Sequence, residues 1–200
     1  WSRKSFLSRP DNIVVQQIIG DSPITCVIEI PDTIEKDRIW SSRMEKVLKI
    51  KSPELTVSPD WITFRQAYSL NERGYESGTK IILKGGSTEV LGNQVKITSA
   101  KEVLILTRIN YLEDYSNSAL ENTRRDLEML EPEYSALLRK HASIHGEMYN
   151  RVRLELYAEE GKNKTSEQFF VQQNEHPDSL DPAFLEAMFN MGRYAFISSS

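Results

Sequence analysis

The first half of the chain carries short apolar segments with the spacing of β-strands. The residue 102–109 segment is nearly continuously apolar, which predicts a central strand. The dipeptides Gly85-Gly86 and Gly92-Asn93 are tight-turn signals between such segments. Short strands at this regular spacing predict an antiparallel β-sandwich. The other predicted strands cover residues 12–19, 24–30, 46–51, 54–57, 61–68 and 79–84.

After Asp114 the apolar positions recur with helical spacing. A first helix, capped by Asn117 or Ser118, is predicted up to Leu130, and a second one follows Pro132. Residues 151–156 then alternate as a strand does, and residues 158–180 are polar and predict a loop. The predicted fold class is therefore mainly β with α, an antiparallel sandwich of the supersandwich type followed by a helical linker.

The last predicted helix begins with Asp181 as N-cap and Pro182 in the first turn. Its apolar stripe indicates packing against the second helix near Leu137 and Leu138, or self-association through this helix. The chain begins at Trp1, and the helix has no stop signal, so we interpret the sequence as a piece of a longer protein. The stripe consists of Leu185, Met188, Phe189, Gly192 and Phe196. Gly192 should let another backbone approach closely, and Arg193 should act as a hydrogen-bond donor at the edge of the contact.

Composition excludes several classes of function. A net charge of -4 argues against a nucleic-acid partner. No apolar run approaches the roughly 20 residues of a membrane span. Cys26 is the only cysteine, so an internal disulfide is excluded, and its apolar surroundings predict a buried small side chain. We expect no cofactor and no metal.

Two residue patterns suggest chemistry but have simpler explanations. His141 and His145 lie four residues apart on a helix, yet Ala142 stands where a zinc protease has Glu. We interpret both histidines as members of a packed helix face. Carboxylates are numerous, and a glycosidase needs two of them about 5 to 9.5 Å apart. Because most lie beside predicted helix starts, as Asp178 and Asp181 do, capping is the favoured interpretation.

Trp40 is the single candidate for substrate binding. It stands among polar and charged residues in a long predicted loop. An aromatic ring in such a loop is suited to stacking on a sugar face or on a neighbouring domain. The alternative is that it covers the edge of the sandwich.

Three segments together resemble glycoside hydrolase family 95, the α-L-fucosidase family. Residues 3–15 have an Arg, an aromatic, a Ser, then Pro-Asp and an apolar run. Residues 141–156 are similar to the family's linker, where a His-bearing helix leads into an Arg-Val-x-Leu-x-Leu strand. Residues 188–200 resemble the family's Phe-x-x-Gly-Arg-Tyr-Leu-x-Ile-Ser-Ser-Ser motif, which forms the first helix of its catalytic barrel.

The resemblance implies a parent with an N-terminal sandwich, a helical linker, an (α/α)6 barrel and a C-terminal β-domain. It implies hydrolysis of α-L-fucosyl or similar residues with inversion, by barrel residues that follow Ser200, so no catalytic residue is assigned here. The carbohydrate substrate would bind to that barrel. The parent protein would be secreted or periplasmic. The expected organisation is a sandwich over 1–115 completed by a strand near 151–157, linker helices over 116–150, a strand and loop over 151–180, and the first barrel helix over 181–200.

Two hypotheses of function remain open at this point. The first is a non-catalytic front part of an inverting glycoside hydrolase, whose sandwich supports the barrel. The second is a stand-alone carbohydrate- or protein-binding β-sandwich module. The amphipathic helix at 182–196 favours the first, since a binding module has no evident use for it.

Overall fold

The computed structural model describes residues 1–31, 53–68, 71–156 and 164–199. Its strands are β1 Ser2–Ser8, β2 Ile13–Glu29, β3 Glu54–Val57, β4 Trp61–Ala67, β5 Gly74–Lys84, β6 Ser87–Leu91 and β7 Gln94–Leu112. Its helices are α1 Leu120–Glu128, α2 Tyr134–Asn150, α3 Ser166–Glu175 and α4 Pro182–Ser198.

All strand pairs are antiparallel. The order is β1-β2-β7-β5-β4-β3, with β6 also paired to β7. The segment predicted as the central strand lies in β7, between β2 and β5, so that prediction is confirmed. The predicted fold class, an antiparallel β-sandwich followed by helices, is confirmed as well.

The two layers arise because the long strands β2 and β7 are irregular in their middle. Their pairing shifts register between Ile19 and Ile24, and Ser99 of β7 has a left-handed φ of 58°. Irregularities of this kind bend a strand. Buried residues beyond the irregularities share one core cluster with residues of β4, β5 and the second half of β7. One bent sheet therefore supplies both layers, and the strands predicted at 12–19 and 24–30 are a single strand. The shared cluster contains Ile24, Val95 and Ile97 together with Ile62, Ile81 and Ile105.

A second core cluster lies on the other face of β7. Side chains of successive residues point to opposite faces of a strand, so Leu104 and Leu106 lie opposite Val103 and Ile105. All four are at most 6% exposed, which fits a central strand. The second cluster joins Leu104 and Leu106 to Leu127 of α1 and Leu137 of α2. The remaining core members of this cluster are Ile13, Val15 and Trp61.

The chain divides into two units, residues 1–140 and 141–200. Helix α2 begins in the first unit and ends in the second. In the second unit, the side chain of Asp181 accepts a hydrogen bond from Ala183 N at 2.8 Å, so the predicted N-cap of α4 is confirmed. None of the described helices has the length and apolar character needed to cross a membrane.

Three local predictions differ from the structure. Residues 151–156 form no strand, and the backbone amide of Leu156 instead donates to the carboxylate of Glu186. Part of the predicted loop is helix α3, which begins at a capping box of Thr165 and Gln168. Helix α1 has Ala119 at its N-cap position, one residue after Ser118 and two after Asn117, although the Ser118 hydroxyl accepts from Leu120 N at 3.3 Å. The predicted strand at 46–51 and residue 157 lie outside the described residues.

Candidate functional site

The predicted substrate-binding residue, Trp40, lies outside the described residues. Sugar stacking by this ring therefore stays a prediction. The described residues do contain three candidate features: a groove, two buried carboxylate centres and an aromatic cluster.

The groove lies on the sandwich face that carries the first core cluster. Its volume is about 570 Å³, within the usual range of about 300 to 1,000 Å³ for small-molecule sites. Its walls mix isoleucines with the hydroxyls of Ser77 and Thr107, and Thr79 and Thr107 hydroxyl oxygens lie 3.0 Å apart. Phe64 and Tyr75 stack beside it with ring centroids 5.6 Å apart. Burial, and the neighbouring Tyr68, raise the pKa of Tyr75, which keeps its hydroxyl protonated.

The first carboxylate centre is Asp11, in the turn between β1 and β2. Its side chain is 5% exposed, accepts a 2.7 Å bond from the Ser8 hydroxyl and pairs with Lys140 of α2. Its backbone oxygen accepts from Arg108 Nη2 at 2.7 Å, and Arg108 Nη1 pairs with Asp126 of α1. Burial raises the pKa of Asp11, but the hydrogen bonds from Lys140 and Ser8 and the nearby cations outweigh it. The net pKa lies below the ordinary aspartate value, so Asp11 is a stable anion and an unsuitable proton donor.

The second centre is Glu76 of β5, whose side chain is fully buried. Its Oε2 accepts from Arg65 Nε at 3.1 Å and from Ser118 Oγ at 2.9 Å. Its Oε1 accepts from Ala119 N at 2.6 Å, so this carboxylate caps α1 from a neighbouring strand. Arg65 also donates to the Tyr115 carbonyl at 2.6 Å. Asp11 and Glu76 are the buried carboxylates of the described ranges, and both are engaged with cations.

The two histidines lie in an aromatic cluster of the second unit. Their ring centroids are 5.2 Å apart, and His145, 9% exposed, also contacts the rings of Tyr149 and Tyr194. Among the residues that the structure describes, none forms a hydrogen bond with Nε2 of His145. Within the described ranges, no group of three or more His, Cys, Asp or Glu side chains is arranged for a metal ion. The ring contacts of the two histidines are those of a packed helix face.

Helix α4 contacts the last turns of α2, within residues 141–200. Arg193 donates to the carbonyls of Met148 and Tyr149, and the Tyr149 hydroxyl approaches the Asn190 carbonyl at 3.5 Å. Leu137 is buried in the second core cluster of the sandwich. An added Cβ on Gly192 would meet nothing within 4 Å, so the close backbone expected there is not found among the described residues.

Cys26 and Asp181 act as structural groups. Cys26 is partly buried against the first core cluster, and burial raises the pKa of its thiol, so little nucleophilic thiolate forms. Burial raises the pKa of Asp181. The hydrogen bond from the Ala183 amide and the Lys164 ammonium 3.2 Å away lower this pKa by more, so that it lies below the ordinary aspartate value. Sequence reasoning found the cap at Asp181 and missed the centres at Asp11 and Glu76.

The fold is that of an antiparallel β-sandwich joined to helices. Residues 133–200 match the profile of the glycosyl hydrolase family 95 catalytic domain. The predicted resemblance to glycoside hydrolase family 95 is thereby confirmed over that range, and the chain is related to carbohydrate-processing enzymes.

Comparison with other known proteins adds little beyond this. One similar solved chain is described as a "putative kojibiose phosphorylase from human microbiome"; it is 12% identical, with a TM-score of 0.49 over 72% of this chain and 21% of that chain. This chain thus spans about a fifth of the length of that protein. No curated protein matches the chain.

Proposed function

We propose that the chain is the N-terminal, non-catalytic part of an inverting glycoside hydrolase resembling α-L-fucosidases. Its sandwich would support a catalytic barrel that binds the carbohydrate substrate. The observation that carries the proposal is the family match, which starts at Glu133, one residue before α2. The match includes all of α2, and the sandwich holds the first turns of this same helix.

Four contacts fasten the start of α2 to the sandwich. Glu133 pairs with Lys84 of β5 at 3.1 Å, and Tyr134 packs edge-on against Phe6 of β1 with centroids 5.3 Å apart. Leu137 is 3% exposed in the second core cluster, and Lys140 pairs with Asp11. These contacts recur at positions 133–134, 137 and 140, which is the spacing of one helix face. This face supports a role for the sandwich in holding the first turns of α2, the helix at which the family match begins.

The buried carboxylates also support a non-catalytic role. A general acid needs a raised pKa, which follows from burial without a compensating cation. Asp11 has the opposite environment, since its pKa is lowered, and Glu76 is held by Arg65 while capping α1. Asp11 is therefore unsuited to donating a proton to a glycosidic oxygen, and both carboxylates are engaged in holding helices.

The proposal is tested by comparing the 200-residue chain with the product of the whole reading frame that encodes it. Both are assayed with p-nitrophenyl α-L-fucoside, and product configuration is followed by NMR. We expect turnover with inversion by the whole product and none by the 200-residue chain. Turnover by the chain itself, lost on a point change within it, would refute the non-catalytic assignment. A whole product inactive on α-L-fucosides and on other α-linked glycosides would refute the enzyme assignment.

A matched pair of variants tests the supporting role in the whole product. Lys140→Gln removes the ammonium that pairs with Asp11, while Lys101→Gln changes an exposed lysine at the same charge cost. We expect Lys140→Gln to lower the temperature at which activity is lost, and Lys101→Gln to leave it unchanged. Equal behaviour of the two variants would contradict the supporting role.

The groove favours the second candidate, a carbohydrate-binding module. Its stacked Phe64 and Tyr75 and its Ser77 and Thr107 hydroxyls combine apolar and hydrogen-bonding groups as sugar sites do. Titration of the 15N-labelled chain with L-fucose tests this candidate. Saturable shifts confined to these residues would support it, and an unchanged spectrum at tens of millimolar sugar would reject it.

A further inference from the structure

Arg193 lies in the middle of α4, but its side chain ends at the last turn of α2. Its Nη2 lies 2.7 Å from the Tyr149 carbonyl oxygen and 3.3 Å from the Met148 carbonyl oxygen, and donates to both. Helix α2 ends at Asn150, so these are two of its final carbonyls. Such carbonyls have no partner inside their own helix.

Helix α2 itself, all of which the structure describes, supplies no cation for this task. The carbonyl end of a helix carries partial negative charge, which a nearby cation stabilises. The last turn of α2 contains no basic residue. The next residue, Arg151, directs its guanidinium to Glu147 at 2.7 Å.

Two rings hold the Arg193 guanidinium in place. It lies 5.6 Å from the ring centroid of Tyr149 and 5.9 Å from that of Phe189. A cation over aromatic faces is attracted to them, and a planar guanidinium makes this contact while directing its N–H groups outward. Lysine, with a single ammonium, reproduces the charge without the planar stacked geometry.

We infer that Arg193 is the C-terminal cap of α2, supplied in trans by α4, and that it fixes where α2 ends. The arginine of the Gly-Arg-Tyr motif within 188–200 then has a structural role: it positions α2 and α4 relative to each other, without any substrate. This inference is independent of the proposed function, since it concerns contacts within residues 141–200 alone.

The test compares Arg193→Gln and Arg193→Lys with the matched control Arg151→Gln, all in the 200-residue chain without ligand. Amide hydrogen exchange is measured for residues 146–150, because these amides are exposed when the last turn of α2 frays. We expect Arg193→Gln to speed exchange there by at least about tenfold, equivalent to about 1.4 kcal/mol. Arg193→Lys should give a smaller increase, and Arg151→Gln should change exchange by less than about threefold.

The wild-type chain provides a second readout that needs no variant. An Nη group held by two carbonyls rotates slowly, so the Arg193 Nη protons should give separate NMR signals, unlike those of Arg151. Averaged Nη signals for Arg193 would overturn the inference. Exchange in the last turn that is equal in Arg193→Gln, Arg151→Gln and the wild type would overturn it as well. If Arg193→Gln does not fold, the wild-type Nη signals and the Arg193→Lys exchange decide the question.

Discussion

Replacing Asp11 by Asn tests the ion pair that joins the β1–β2 turn of the sandwich to α2. The substitution keeps the shape of the side chain and an oxygen that can accept from the Ser8 hydroxyl, but it removes the negative charge. Lys140 then loses its ionic partner. The backbone oxygen of residue 11 still accepts from Arg108, so the turn keeps its main-chain anchor.

The magnitude follows from burial of the carboxylate. A hydrogen bond to a charged group contributes about 1.5 to 3 kcal/mol net, and a buried one is at the upper part of this range. The side chain of Asp11 is 5% exposed, while that of Lys140 is 55% exposed. Water can therefore solvate the Lys140 ammonium once its partner is removed. The loss in stability is then estimated as that of one hydrogen bond to a charged group. We expect Asp11→Asn to lower the free energy of unfolding by about 1.5 to 3 kcal/mol at pH 7.

The same argument fixes the sign of the pH dependence. The pKa of Asp11 is lower in the folded chain than its ordinary value of 3.8. A carboxyl with a lowered folded pKa binds its proton less readily when folded, so it stabilises the fold above the unfolded pKa. This stabilisation is lost as pH falls through the folded pKa. The difference between wild type and Asp11→Asn should therefore be constant near neutral pH and shrink below about pH 4.

Urea unfolding followed by tryptophan fluorescence measures the change. Trp61 is 5% exposed in the second core cluster, beside Ile13 and Leu137, and reports on this region. The control is Asp21→Asn, because Asp21 is exposed, and a shift within about 0.5 kcal/mol is expected for it. Equal stability of the Asp11 and Asp21 variants at pH 7, or an Asp11 effect that grows in acid, would refute the reasoning.

Three further predictions concern packing. Leu104→Ala should destabilise the chain by about 2 to 5 kcal/mol in urea unfolding, since Leu104 is 2% exposed. Gly74→Ala should destabilise it, because the new Cβ would lie 2.5 Å from the Gln66 carbonyl oxygen; Gly146→Ala, with nothing within 4 Å, should raise the melting temperature. The purified chain should self-associate through Leu185, Met188 and Phe196 of α4, the last 77% exposed, and light scattering should show dissociation in Phe196→Glu.

The sequence predicted those parts of the fold that depend on local pattern. The continuous apolar run at 102–109 identified β7, and Asp181-Pro182 identified the start of α4. Helix α3 was missed because its polar composition resembles a loop, although the capping box of Thr165 and Gln168 was a visible signal. Alternation at 151–156 was misleading because no neighbouring strand pairs with it in the described structure.

The polar centres depend on pairs of residues far apart in sequence. Asp11 and Lys140 are separated by 129 positions. No local spacing identifies such a pair, and Asp11 alone is one of many carboxylates. Glu76 was equally hidden: the predicted cap Ser118 does accept from Leu120 N at 3.3 Å, but Glu76, 43 positions from Ala119, accepts from Ala119 N as well. Long-range polar contacts of this kind follow from the sheet topology, which single-segment patterns do not fix.

The use of buried charge gives the clearest physical argument about the role of the sandwich. Burying a carboxylate is costly unless cations and hydrogen bonds compensate it. Two carboxylates are buried among the described residues of the sandwich, and the groups that compensate each one also fasten a helix. Asp11 holds α2 through Lys140, and Glu76 holds the N-terminus of α1. A free binding module gains nothing from anchoring helices at this expense. A domain that must hold α2 in a fixed position does benefit from these contacts. This supports the proposed role of the sandwich in supporting the barrel of a glycoside hydrolase.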